Sequence, residues 1–111
     1  MCGVSYSCQS MEIIKSSVYE AWLVGLRDRT ARAKVEIRVR RLGLGNPGDV
    51  KPVGGGISEM RINYGPGYRV YYLQHGTITV VLLCGGDKST QDRDVEHAKE
   101  IASSWKDEID G

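Results

Sequence analysis

Two arginines and a glutamate near the middle of the chain have the types and spacing to bind and act on an anion. Arg61 and Arg69 lie on neighbouring predicted strands of one hairpin, so their side chains can project to the same face. Guanidinium groups donate paired hydrogen bonds to phosphate oxygens. Glu59, two residues before Arg61, lies on that face and could act as a proton acceptor or as an ion-pair partner that orients Arg61.

A lysine near a predicted helix start offers a further anion contact. Lys88 and Ser89 follow two glycines, and the free N–H groups and dipole at the start of a helix favour an anion. The stretch from Gly85 to Thr90 lacks the Gly-Lys adjacency and the earlier glycine of a nucleotide-binding phosphate loop. We therefore exclude nucleoside triphosphatase activity and retain a different phosphate as the ligand.

Hydrophobic periodicity predicts a small α+β fold that positions these side chains. The order is β-α-α-β-β-β-α, with an N-terminal helical hairpin and a C-terminal helix packed on a small antiparallel sheet. Residues 1–10 are predicted to be a disordered extension and residues 11–111 the folded domain. The predicted elements are a strand at 12–15, helices from Ser16 or Ser17 to Asp28 and from Ala31 to Leu42, a flexible connection at 52–56, strands at 57–64, 68–74 and 77–84, and a last helix capped by Ser89 or Thr90.

The segment from Ala31 to Leu42 fits two periodicities. Its apolar residues alternate with polar ones from Ala31 to Val39, which is typical of a strand. A helical stripe is also present, formed by Ala31, Val35, Val39 and Leu42. The content of alanine, arginine, lysine and glutamate favours the helix.

Composition indicates one folded domain, and we expect it in the cytoplasm. The chain has 111 residues, of which 41% are hydrophobic and 26% charged. Its longest apolar run, from Ile78 to Cys84, is too short to cross a bilayer, and no secretory signal is recognised. The cysteines, Cys2, Cys8 and Cys84, are odd in number, and we expect neither a disulfide framework nor a metal site.

The net charge of +1 counts against a nucleic-acid partner, because such proteins usually carry a basic excess. The basic residues are unevenly distributed, however. Residues 27–41 carry seven of them against two acids, and these could line a groove for RNA or form the solvated face of a helix. They are Arg27, Arg29, Arg32, Lys34, Arg38, Arg40 and Arg41, of which Arg38 and Arg41 are candidate RNA-binding residues.

Three sequence blocks carry a resemblance to a known family. They are GDVKPVG at 48–54, SEMRINYGPGYRVYY at 58–72 and LLCGGDKSTQ at 82–91. In this order and spacing they resemble the HigB-like branch of the RelE/ParE superfamily, the addiction module killer proteins of bacterial type II toxin–antitoxin systems. The similarity runs from about Met11 to the C-terminus. It implies a RelE-like fold, in which a twisted sheet is packed by an N-terminal helical hairpin and a C-terminal helix.

The resemblance implies a cytoplasmic toxin that cleaves mRNA on the ribosome, an mRNA interferase needing no metal and no cofactor. Its partner would be a cognate antitoxin, a small helix-turn-helix protein. Two alternatives stay open. ParE-like members of the superfamily inhibit DNA gyrase without nuclease activity, and a decayed toxin would only bind its antitoxin.

The resemblance also implies roles for individual residues. Arg69 matches the arginine that contacts the scissile phosphate, and Arg61 and Lys88 match further basic positions of such sites. Lys51 matches an RNA-contacting lysine of some relatives. Glu59 remains either the general base or an ion-pair partner.

Other positions have two interpretations each. Tyr71, on the strand face of Arg69, could stack on an RNA base or pack in the core, whereas Tyr72 is expected in the core. Several relatives use a C-terminal Tyr or His, but His97 lies in mid-helix and is expected to face solvent. The general acid would then be Lys88, with Gln91 or Asp94 assisting.

Overall fold

A computed structural model describes residues 11–76 and 79–110, with backbone alone for 106–110. The extension predicted for residues 1–10 and the first two residues of the strand predicted at 77–84 lie outside this part of the chain. Its elements are β1 (Glu12–Lys15), α1 (Ser17–Val24), α2 (Arg29–Gly43), β2 (Val50–Gly54), β3 (Ile57–Ile62), β4 (Tyr68–His75), β5 (Thr79–Gly86), a 3-10 turn (Lys88–Thr90) and α3 (Gln91–Asp110). The described residues thus form an α+β fold with a five-stranded sheet and three α-helices.

The sheet is mixed, which corrects the prediction of an antiparallel sheet. Its strand order is β1-β5-β4-β3-β2. The hairpins β3-β4 and β4-β5 are antiparallel, as their short turns require. β1 runs parallel to β5, with Ile13 opposite Val80. No tight turn constrains its direction, because two helices and three strands separate β1 from β5 in the chain.

An additional strand, β2, replaces part of the flexible connection predicted at 52–56. β2 pairs antiparallel with β3 and lies at the sheet edge, where Pro52 needs no ladder partner for its missing N–H. Gly54, Gly55 and Gly56 follow with positive φ angles and make the turn into β3. The strand was not predicted because proline and glycine are uncommon in strands, but a strand at the sheet edge tolerates them.

The first two helices are separated by capping residues. Ser16 caps α1 by accepting a hydrogen bond from the Tyr19 amide, and its hydroxyl donates to the Leu83 carbonyl. Asp28 caps α2 by accepting from the Thr30 and Ala31 amides, so α1 ends before the predicted Asp28. The helical interpretation of 31–42 is confirmed, because the four residues of its apolar stripe are all buried.

Helices cover both faces of the sheet and form a core on each. On the first face, α1 and α2 pack over side chains that include Met60, Val70 and Tyr72. On the second face, α3 packs over Tyr71 and its neighbours. Tyr71 and Tyr72 therefore enter opposite cores, as strand alternation predicts. Trp22 and Trp105 are half-buried against the first and second core respectively.

None of the helices in the described ranges has the length and apolar character needed to span a membrane.

Candidate anion-binding site

The β3-β4 hairpin places the predicted site residues on one face of the sheet. Arg61 is the register partner of Arg69, and Glu59 is the register partner of Tyr71. Because partners on adjacent strands share a face and residues two apart do too, all four side chains project toward the α3 side. The same-face prediction for these residues is confirmed.

Glu59 lies at the base of this group and is fully buried. One carboxylate oxygen accepts a hydrogen bond from Arg69 Nη1 at 3.0 Å. The other accepts from Gln91 Nε2 at 2.8 Å and from the Tyr71 hydroxyl at 3.3 Å. A buried carboxylate requires such compensation. The expectation that Glu59 orients Arg61 is corrected, because its partner is Arg69.

Tyr71 is a packing residue that also carries a polar contact. Its ring is buried in the second core, so no face is open for stacking on a base. Burial, and next the nearby Glu59 carboxylate, raise the pKa of the Tyr71 phenol, which stays protonated as a donor to Glu59. Gln91, at the start of α3, likewise spends its amide on Glu59.

Arg69 is held rigidly at the edge of the buried cluster. Its side chain is 11% exposed, and its buried Nε has no hydrogen-bond partner among the described residues. The Glu59 pair fixes one end of the guanidinium while the residue still lines an open pocket. Arg69 is therefore held in place by Glu59 and still has N–H groups that can donate hydrogen bonds to a ligand.

Arg61 has a different partner, which the sequence analysis missed. Its Nη2 donates to Asp49 Oδ1 at 2.9 Å, and both side chains are well exposed, at 42% and 57%. The Arg61 amide also donates to the Asp49 carbonyl. Recognising β2 would have revealed this pair, because Val50 is the register partner of Met60 and places Asp49 beside Arg61.

An open pocket of about 490 Å³, here called the primary pocket, joins three of the predicted cations. Arg61, Arg69 and the exposed Lys88 all line it, together with a single carboxylate, that of Asp49. The remaining lining residues are Ile62, Asn63, Gly65, Pro66, Gly67 and Tyr68. This pocket suits an anion, since guanidinium and ammonium groups converge there.

The turn that carries Lys88 is capped by its own acid. Asp87 is the N-cap of this 3-10 turn. Thr90, one of the two residues predicted to cap the last helix, directly precedes α3. The Asp87 carboxylate accepts from the Ser89 amide and the Ser89 hydroxyl, which holds the pKa of Asp87 below its usual range. Asp87 thus bonds to the N–H groups that were predicted to bind an anion. The Lys88 side chain is left as the group of this turn that can contact an anion.

The glycines before this turn meet packing needs. A Cβ on Gly85 would overlap the Trp22 ring, and one on Gly86 would overlap the Asp94 carboxyl group. The two residues face opposite sides of β5, and each admits a neighbour that any side chain would exclude.

The other candidates do not line the primary pocket. Lys51 is exposed on β2 and is absent from the pocket lining. Arg38, on α2, donates to the carbonyls of Arg61 at 2.6 Å, Pro47 at 3.0 Å and Asp49 at 3.4 Å. Arg41 is exposed on the same helix.

The C-terminal helix contributes no histidine to the pocket. His97 is exposed on α3, as predicted. Within the described part of the chain, no three histidine, cysteine or acidic side chains are grouped as metal ligands.

Comparison with known proteins gave no matching family model. An uncharacterized protein of Haemophilus influenzae is 46% identical to this chain over 93 residues, which cover 84% of this chain and 94% of that protein. Similarity of this degree over nearly the whole length of the relative shows common descent. The chain therefore belongs to the same protein family as this Haemophilus influenzae protein.

Proposed function

We propose that this chain is the toxin of a type II toxin–antitoxin module, a HigB-like member of the RelE/ParE superfamily that cleaves mRNA. The observation that carries the proposal is the primary pocket, where Arg61, Arg69 and Lys88 meet. The mixed sheet covered on one face by α1 and α2 and on the other by α3 agrees with a RelE-like fold, in which α1 and α2 would be the helical hairpin.

The chemistry would be transfer of the phosphodiester to the neighbouring 2′-oxygen. The 2′-hydroxyl loses its proton to solvent water as its oxygen attacks phosphorus, and the bond from phosphorus to the 5′-oxygen breaks. The products are a 2′,3′-cyclic phosphate and a 5′-hydroxyl. Negative charge builds on the phosphoryl oxygens in the transition state, where Arg61 and Arg69 would stabilise it. Lys88, the exposed cation of the pocket, would protonate the departing 5′-oxygen.

Glu59 would act through Arg69 and not as the base. Both of its oxygens already accept hydrogen bonds, and the side chain has no exposed surface. A substrate hydroxyl could approach it only after that cluster opened. We therefore assign Glu59, Tyr71 and Gln91 to positioning Arg69, and the rate enhancement to electrostatic stabilisation of the phosphate.

The partners follow from the same proposal. The toxin would act in the cytoplasm on ribosome-bound messages and be neutralised by a cognate antitoxin, a small helix-turn-helix protein. Cleavage would persist in the presence of a metal chelator.

The test is expression of wild type and variants in bacteria, with mapping of transcript ends. Wild type should arrest growth and leave cleaved messages, and Arg61→Ala and Lys88→Ala should each lower cleavage by about 10²-fold or more. Both residues are well exposed, so these variants should fold. Arg40→Ala removes an exposed arginine outside the primary pocket and is the matched control. Intact transcripts during growth arrest would contradict the nuclease.

A second candidate is a toxin that binds without cleaving, such as a ParE-like inhibitor of DNA gyrase or a decayed toxin that only binds its antitoxin. The complete burial of Glu59 favours it, because among the described residues Asp49 is then the only carboxylate lining the primary pocket, and it is paired with Arg61. Inhibited supercoiling with intact transcripts would identify the gyrase inhibitor. Normal growth on overexpression would identify the decayed toxin.

A further inference from the structure

A second, smaller pocket adjoins the primary pocket on the α2 side. Here called the helix pocket, it has a volume of about 270 Å³ and is lined by Lys34, Ile37, Arg38, Arg41, Ile62 and Asn63. Ile62 and Asn63, at the end of β3, line both pockets. The same two residues therefore bound both cavities, where the sheet gives way to the turn toward β4.

The charges of the two pockets are of one sign. Among the described residues, the helix pocket is lined by three cations and no acid, and the primary pocket adds three cations and one acid. The chain as a whole has a net charge of only +1. Six of the fifteen lysines and arginines thus line two pockets that share Ile62 and Asn63, so this part of the surface is positive although the whole chain is nearly neutral.

Two of the helix-pocket cations are available to a ligand. Neither Lys34 nor Arg41 forms an ion pair with any residue in the described ranges. Lys34 Nζ lies 5.3 Å from the centre of the Tyr64 ring. This cation–π contact does not use the ammonium N–H groups in hydrogen bonds to oxygen atoms. Beside them Ile37 is 45% exposed and offers an apolar surface to the face of a base.

Arg38 has a different role in the same pocket. Its guanidinium donates hydrogen bonds to three backbone carbonyls, one of which is that of Arg61. It therefore ties α2 to the strand that carries Arg61 and fixes the two pockets relative to each other.

We propose that the helix pocket is a second subsite for the single RNA strand whose phosphate occupies the primary pocket. The strand passes Asn63, a neighbouring phosphate binds Lys34 and Arg41, and a base packs on Ile37. The lining that it shares with the primary pocket, and the absence of acids among the described residues that line it, favour a polyanion in extended form. The inference rests on the proposed function, because it assumes an RNA phosphate at Arg61 and Arg69.

The test measures binding of uncleavable 2′-O-methyl RNA as a function of salt concentration. A dinucleotide, with one bridging phosphate, should reach the primary pocket alone, whereas an octanucleotide should reach both. The double variant Lys34→Ala/Arg41→Ala should lower the salt slope of octanucleotide binding by about 0.7 for each phosphate that it no longer neutralises. Its binding of the dinucleotide should equal that of wild type.

A matched control has the same loss of charge at another place. Lys15 and Arg40 are exposed and line a pocket between β1 and the opposite side of α2, together with Glu36. Lys15→Ala/Arg40→Ala should leave the octanucleotide slope unchanged. Equal slopes for the two double variants would overturn the proposal, because net charge alone would then set the affinity.

The remaining outcomes separate this inference from the proposed function. Octanucleotide binding that needs Arg61 and Lys88 but not Lys34 and Arg41 would overturn the second subsite and leave the function standing. Failure of wild type to bind either RNA would overturn both. Competition by polyglutamate at equal ionic strength, abolished in Lys34→Ala/Arg41→Ala, would assign the helix pocket to an acidic protein segment and overturn the RNA subsite.

Discussion

Arg61 and Arg69 are register partners on β3 and β4, yet each guanidinium is held by a different carboxylate in a different environment. The pair of Arg61 with Asp49 is well exposed, whereas Arg69 is paired with the fully buried Glu59. The two distances are nearly equal, at 2.9 Å and 3.0 Å. Burial is the main difference between the two ion pairs, so comparing them shows how burial changes the contribution of an ion pair to stability.

The first prediction concerns the stability of these pairs. Glu59→Ala should lower the free energy of unfolding by about 3–5 kcal/mol, because it leaves Arg69 with an uncompensated buried charge. Asp49→Ala should cost no more than about 1 kcal/mol, since water already solvates that pair. Urea unfolding of both variants measures the difference. Equal losses would contradict the role of Glu59 as a buried positioning residue.

The second prediction concerns the Tyr71 hydroxyl. Tyr71→Phe should cost about 1–3 kcal/mol, because Glu59 loses a donor where no water replaces it. In a Glu59→Gln background the cost should fall, and this coupling is measured by a double-mutant cycle. Tyr19→Phe is the control, since Tyr19 is as buried and its hydroxyl bonds to none of the described residues. Additive effects would show that Tyr71 only packs.

The third prediction concerns acid stability. The Tyr64 hydroxyl, and next the Ala31 amide, hold the pKa of the Asp28 carboxyl below its usual range. Since the folded pKa lies below the unfolded one, this stabilisation is complete above an unfolded pKa of about 4 and is lost as pH falls through the folded value. Asparagine also caps helices but does not titrate, so Asp28→Asn should show a shallower loss of stability between about pH 6 and about pH 3.

The measurement for Asp28 is urea unfolding at a series of pH values. Glu100→Gln, which removes an exposed carboxylate from α3, should leave the wild-type pH dependence unchanged. If the free energy of unfolding of Asp28→Asn falls with pH as steeply as that of wild type, the loss of stability in acid comes from other groups.

The fourth prediction concerns Gly86. Gly86→Ala should cost about 1–3 kcal/mol by overpacking, because the new methyl group would overlap the Asp94 carboxyl. In an Asp94→Ala background the carboxyl overlap is gone and the close approach to Thr90 Oγ1, at 3.0 Å, remains, so the same change should cost less. Unfolding of the two single variants and the double variant measures the coupling. If the losses of unfolding free energy in the two single variants add up in the double variant, the new methyl group does not clash with the Asp94 carboxyl.

Local patterns were enough to predict the face that carries the site. Strand alternation placed Glu59, Arg61, Arg69 and Tyr71 on one side of a hairpin, and the structure confirms this. The stripe of Ala31, Val35, Val39 and Leu42 predicted α2 only together with the content of alanine, arginine, lysine and glutamate, because the segment also fits a strand periodicity. Both features depend on residues close in the chain or joined by a short turn, which periodicity captures.

The partners of the arginines could not be predicted by the same reasoning. Gln91 reaches Glu59 only because of where α3 crosses the sheet, a relationship between residues 32 positions apart. Asp49 lies beside Arg61 through β2, whose Pro52 obscured its strand character. The parallel position of β1 likewise depends on long-range packing and not on any turn.

The position of β1 beside β5 also determines when the domain can be completed. Of the described strands, the one synthesised first pairs with the one synthesised last, so Ile14 has no strand partner until Val81 has left the ribosome. Closing so long a segment has an entropic cost that only the finished core offsets. A nascent chain that ends before β5 lacks an interior strand that contributes side chains to both cores, so folding is delayed until translation is nearly finished.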